Sequence, residues 1–168
     1  MKVVGIVVLV FLVVAFLFIF SKQPPVPEEF VSIRTVENYS TFFHNYEILR
    51  YPSSVEIMPI ENLNETIVIG FVTDPWNINF GIIPGNGSYV TRTIEVSNKG
   101  GDNNEVFLNA YGNISPLVVF SKNNFILKPD EKASIEIFLY SKDSEPGNYS
   151  GEIDVVSKKA IYNFLSII

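Results

Sequence analysis

The side chains able to do chemistry are few. The chain has one histidine, His44, and no cysteine in 168 residues. Without cysteine there is no disulfide framework, no thiol nucleophile and no Cys-ligated zinc. A lone histidine cannot build a multi-histidine metal site, and it is the only group whose ordinary pKa suits acid–base work at neutral pH. Asp102-Asn103-Asn104-Glu105 and Asp143-Ser144-Glu145 offer oxygen ligands for Ca²⁺. Neither has the ligand spacing or mid-loop glycine of a calcium loop, so both read as solvated turns. This inventory points to a protein that is not an enzyme and uses no cofactor or metal.

A second set of residues points to modification and binding. Five Asn-x-Ser/Thr sequons occur, at Asn38, Asn64, Asn86, Asn113 and Asn148, none with proline in the middle. With 16 Asn and 21 Ser plus Thr in 168 residues, chance gives about two such matches, so five is a modest enrichment of an acceptor motif. Three of the five sit in glycine-containing turns (PGNGS, YGNIS, PGNYS), where a glycan finds room. Tyr89, Phe107, Tyr111 and Tyr140 fall on outward positions of alternating runs. Such aromatics serve protein contacts or stack on sugars. Trp76, the single tryptophan, alternates with Ile78 and Phe80 and is expected to pack in the core. The net charge of −6 argues against a nucleic-acid partner, which needs a basic face.

These residues need a scaffold, and the chain divides into four parts. Residues 1–22 contain Val3 to Phe20, an uncharged apolar run of 18 residues flanked by Lys2 and Lys22. As a helix it would be ~27 Å long, close to the ~30 Å hydrocarbon core of a bilayer. The run exceeds the ~7–15 residues of a signal-peptide core, and its Phe-Ile-Phe-Ser exit lacks a small-x-small cleavage pattern. An uncleaved single-pass membrane anchor is expected. Lysines balance across the helix, and the sequons place the remainder outside the cell. Residues 23–29 (QPPVPEE) form a stiff, extended spacer. Residues 30–64 are expected to be a membrane-proximal segment packing on the main domain, with Phe42, Phe43, Tyr46 and Leu49 at the spacing of a short helix.

From residue 65 to 168 short alternating runs recur with turn signals every 8–15 residues, the pattern of an all-β sandwich. The runs are Thr66–Val72, Trp76–Ile82, Tyr89–Ser97, Val106–Tyr111, Leu117–Phe120, Phe125–Leu127, Ile135–Leu139, Tyr149–Val155 and, after a reversal at Lys158-Lys159, Ile161–Ile168. The fold class is all-β, an Ig-like antiparallel β-sandwich of seven to eight strands behind one N-terminal transmembrane helix.

Within this stretch four motifs occur in order: Asn79-Phe80-Gly81-Ile82-Ile83-Pro84-Gly85, Thr93-Ile94-Glu95-Val96-Ser97-Asn98, Phe125-Ile126-Leu127-Lys128-Pro129-Asp130-Glu131, and Pro146-Gly147-Asn148-Tyr149-Ser150-Gly151. Together they resemble the Ig-like modules of archaeal and bacterial surface proteins, of the ASH, MSP and NEW3 kind, with Asp130 where those modules have Gly. The resemblance covers about half the chain. It implies a stalk, adhesion or interaction module without catalytic residues, and a tyrosine corner at Tyr149. A cysteine-free, sequon-rich outer domain also looks prokaryotic, archaeal above all. The expected function is protein–protein contact in the envelope, with a surface-layer protein or a second copy. The alternatives are a glycan-binding module using the outward aromatics, or a secreted filament subunit.

Overall fold

The computed structural model describes residues 2–19, 32–59, 76–141 and 144–161. The expectations for Asn64, Asp143, the 23–29 spacer, Thr66–Val72 and a final strand at Ile161–Ile168 lie outside or mostly outside these residues. One helix, α1 (Lys2–Ile19), precedes nine strands: β1 (Thr35–Ser40), β2 (His44–Met58), β3 (Ile78–Pro84), β4 (Tyr89–Ser97), β5 (Asn104–Gly112), β6 (Val118–Phe120), β7 (Phe125–Leu127), β8 (Lys132–Tyr140) and β9 (Gly147–Ala160).

The strands form two sheets. The larger has the order β1-β2-β9-β5-β7, with β3 beside the second half of β2; the smaller has the order β4-β8-β6. All pairings are antiparallel except β2 with β3, which run parallel. The β-sandwich architecture therefore holds, with one parallel pair in place of a wholly antiparallel arrangement. Between the sheets lie Val55, Ile57, Phe80, Ile137, Leu139 and Ile153 in one cluster, and Val106, Leu108, Leu127, Ile135 and Val155 in another. These are the alternating apolar positions of each strand, as a two-sheet core requires.

Several elements differ from the sequence reading. The aromatic stretch around His44 is the start of β2, not a short helix. Thr41–Phe43 turns the chain, with the Thr41 N–H donating to the His44 carbonyl, and Tyr39 stacks on Tyr46 across the β1–β2 pair at 4.5 Å. Fourteen consecutive partners on β9 outweigh a helical spacing that a short apolar run supports only weakly. β1 and β2 are members of the large sheet, and β2 lies inside it rather than in a layer packed upon the sandwich. Lys158 and Lys159 do not reverse the chain; β9 runs through them, and they pair with Glu105 at 2.8 Å and Asp102 at 3.3 Å.

Trp76 is 61% exposed rather than core-packed, because the β3 ladder begins only at Ile78. The Arg34 guanidinium lies 5.7 Å from its ring centre. The alternation of β3 also breaks. A bulge shifts the β2–β3 register between Ser54 and Glu56, and Gly81 adopts φ +77°. Ile83 consequently takes the buried position while Ile82 turns outward, the re-aiming a bulge produces.

The resemblance motifs hold the domain's corners. Asn98, at the end of β4, is buried; its Nδ2 donates to the Asp102 and Leu127 carbonyls at 2.8 and 3.0 Å, and its Oδ1 accepts from the Gly100 N–H. Asp130 has φ +60°, a left-handed turn position that favours glycine. The Tyr149 hydroxyl donates to the Glu145 carbonyl four residues upstream at 2.8 Å, the bond of a tyrosine corner.

Helix α1 is apolar all round. Its described side chains run from Val4 to Phe16, and every large one is 45–73% exposed. Among the described residues no helix is long and apolar enough to cross a membrane.

Candidate functional site

The four outward aromatics divide between two faces. Tyr89 and Tyr140 sit directly opposite on β4 and β8, their ring centres 5.6 Å apart. Phe138, two residues before Tyr140 and therefore on the same face, lies 6.3 Å from that ring. Its partner across the β6–β8 pair is Val119, which is also exposed. The outer face of the small sheet thus carries an uncharged strip Tyr89–Tyr140–Phe138–Val119. Phe138 and Val119 were not singled out from sequence; the period-2 position of Phe138 relative to Tyr140 was the available signal.

Phe107 and Tyr111 instead belong to the outer face of the large sheet and are half-buried. Cross-strand partners place Ile48, Val156 and Phe107 in one row, Arg50, Asp154 and Asn109 in the next, and Pro52, Glu152 and Tyr111 in a third. The centre of this face is deeply buried: Arg50 is 1% exposed, Glu152 0% and Asp154 2%. Arg50 donates from Nη1 to Glu152 Oε1 at 2.9 Å and from Nη2 to Glu37 Oε2 on β1 at 3.3 Å. Asp154 Oδ2 is 4.0 Å from Nη1, while its buried Oδ1 accepts no hydrogen bond among the described residues. Burial raises the Asp154 carboxyl to about 6; Arg50 opposes that rise and the Glu37 charge adds to it. Burial and the two nearby carboxylates, Asp154 and Glu152, likewise raise the Tyr111 phenol. Glu152 and Asp154 fall on the face of β9 opposite Ile153 and Val155, and nothing local in sequence indicates their burial.

His44 is half-buried at the start of β2. Partial desolvation and the nearby Lys158 charge lower its pKa, with Glu105 acting in the opposite direction. The turn at residues 102–105, read as solvated, has its two carboxylates engaged by Lys159 and Lys158. No group of three metal-ligating side chains occurs among the described residues.

All four described sequon asparagines are exposed. Asn38 lies on edge strand β1. Asn86, Asn113 and Asn148 fall at one end of the sandwich, where the Ser141 N–H donates to the Ser88 carbonyl and the Ile114 N–H to the Ser150 carbonyl. Asn113 Oδ1 accepts from the Ser150 N–H at 2.6 Å.

Two packed sheets, with an uncharged aromatic strip on one outer face and buried charged side chains on the other, define a β-sandwich protein. Comparisons with known protein families and with curated proteins find no match to the chain.

Proposed function

We propose that this is a non-enzymatic, single-pass membrane protein that presents an Ig-like β-sandwich on the outer face of a prokaryotic cell. Its role in this reading is contact with another envelope protein. The observation that carries it is α1: its apolar residues cover every side of the helix and stand exposed from Val4 to Phe16. A helix apolar on all faces is buried either in protein or in lipid, and Val3 to Phe20 has the length for lipid. The tyrosine corner and the Asp130 turn support the Ig-like surface-module resemblance, and the exposed sequon asparagines support an outward orientation.

Membrane fractions of cells making the full chain test this directly. The expected result is recovery in the carbonate-washed pellet, digestion of the sandwich by protease added outside intact cells, and a cross-linked partner reduced by Tyr89→Ala with Tyr140→Ala. Release of the intact chain by carbonate refutes the anchor, and protection from external protease refutes the orientation. Persistent recovery of free monomer alone refutes the contact role.

A second reading rests on the Tyr89–Tyr140–Phe138 strip. Three neighbouring aromatic rings on an uncharged surface form a stacking platform for neutral sugars. Titration of the full chain in detergent with cell-wall polysaccharides, followed by tyrosine fluorescence, shows a saturable change in that case. Its absence removes this alternative.

A further inference from the structure

The residues of sequon Asn148-Tyr149-Ser150 line a concavity. A groove of about 280 Å³ opens beside β2, β3 and β9, with Ser54, Glu56, Asn79, Ile82, Asn148 and Ser150 on its walls. The space equals that of about nine waters at ~30 Å³ each. It lies just below the ~300 Å³ where sites for drug-sized ligands begin, so it suits one sugar ring rather than an oligosaccharide.

The walls match the two kinds of surface that a sugar ring presents. Glu56 and Asn79 are exposed, and Ser54 and Ser150 are half-buried, which gives hydroxyl, amide and carboxylate partners for ring hydroxyls. Ile82, 41% exposed, supplies an apolar wall for the C–H face of the ring. It stands there because the β3 bulge and Gly81 displace it from the core. The Asn148 side chain is exposed and makes no hydrogen bond among the described residues, unlike Asn113.

We infer that Asn148 is N-glycosylated and that the groove seats the first sugar of its glycan. This deepens the outward-facing reading above and rests on it. The donor is a sugar chain linked to a polyprenyl phosphate or pyrophosphate. Asn148 Nδ2 bonds to the anomeric carbon, and the carbon–oxygen bond to phosphate breaks with its electron pair leaving on the phosphate. The amide proton passes to a base of the membrane transferase.

The test uses the full chain purified from its own source cells, wild type and with Asn148→Gln, Ile82→Ala or both. Glycopeptide mass mapping is expected to show Asn148 occupied. Thermal melts are expected to show Ile82→Ala lowering Tm by about 2–4 °C more in the glycosylated chain than in the Asn148→Gln background. Occupancy at Asn38, Asn86 or Asn113 with Asn148 bare overturns the site and leaves the outward orientation standing. Occupancy at Asn148 with equal effects of Ile82→Ala in both backgrounds overturns the seat. Unmodified asparagine at every sequon overturns this inference; protease protection of the sandwich in intact cells then overturns the orientation, and protease digestion leaves the orientation standing.

Discussion

Asp154 sets an unusual pH dependence for this domain. Arg50 offers one guanidinium to three carboxylates, and Asp154 has the weakest claim on it, at 4.0 Å against 2.9 Å for Glu152 and 3.3 Å for Glu37. With 2% exposure solvent screens little of the cost. The folded carboxyl lies at about 6, above its ordinary value of 3.8, so between those values the native state holds more protons than the unfolded chain. Stability from this group is then greatest below pH ~4, falls as pH rises toward ~6, and is flat above. The difference of about two pH units corresponds to about 3 kcal/mol at 1.36 kcal/mol per unit. Asp154→Asn removes the ionisation while keeping shape and hydrogen-bonding capacity. At pH 7.5 the variant is expected to be more stable by about 2–3 kcal/mol, or roughly 6–10 °C in Tm, and near pH 4 the gain shrinks toward zero. Urea denaturation of the full chain in detergent, followed by circular dichroism from pH 4 to 8, measures it. Subtracting wild type from variant cancels the other carboxylates. A difference that stays constant across this range, or that shrinks as pH rises, refutes the argument.

Three other substitutions follow from the packing. Arg50→Met leaves Glu152, Asp154 and Glu37 without their shared cation; a loss of about 3–5 kcal/mol at pH 7.5 is expected by urea denaturation, smaller at pH 5 as Asp154 takes its proton. Gly151→Ala puts a methyl 1.9 Å from the Tyr111 carbonyl oxygen and 2.8 Å from Ile114, so β9 and β5 must separate. About 3 kcal/mol is expected to be lost, and hydrogen exchange at Gly112 and Ile153 should rise. Asn98→Ala removes two donors and one acceptor at a buried corner, and about 2–4 kcal/mol is expected to go with them in thermal melts.

The reading of strands from Ile78 onward depended on local information, and it was legible for that reason. Alternation in Lys132–Tyr140 places Ile135, Ile137 and Leu139 on one face whatever they meet; Asn98 and Tyr149 act through bonds to residues near them in the chain or at the adjoining corner, and Asp130 through its own left-handed backbone. The stretch around His44 was misread because its local spacing fits helix or strand, and the deciding partner, β9, lies a hundred residues away. Lys158 and Lys159 were misread for the same reason: their carboxylate partners are on β5 and the turn before it. In β3 the one-residue bulge inverted Ile82 and Ile83, a change that pairing with β2 imposes and composition does not signal.

The candidate sites divide along the same line. Sequence by itself determined the sequons, the apolar 18-residue run and the outward positions of Tyr89 and Tyr140, because each is a property of one short segment. Tertiary structure decided that Tyr89 and Tyr140 share a strip with Phe138, while Phe107 and Tyr111 face the opposite way beside a buried ion cluster. It also set Asn148 beside a groove and made Asp154 a titrating group. Those outcomes depend on which strands become neighbours and what covers them, and burial and proximity are energies of the assembled chain.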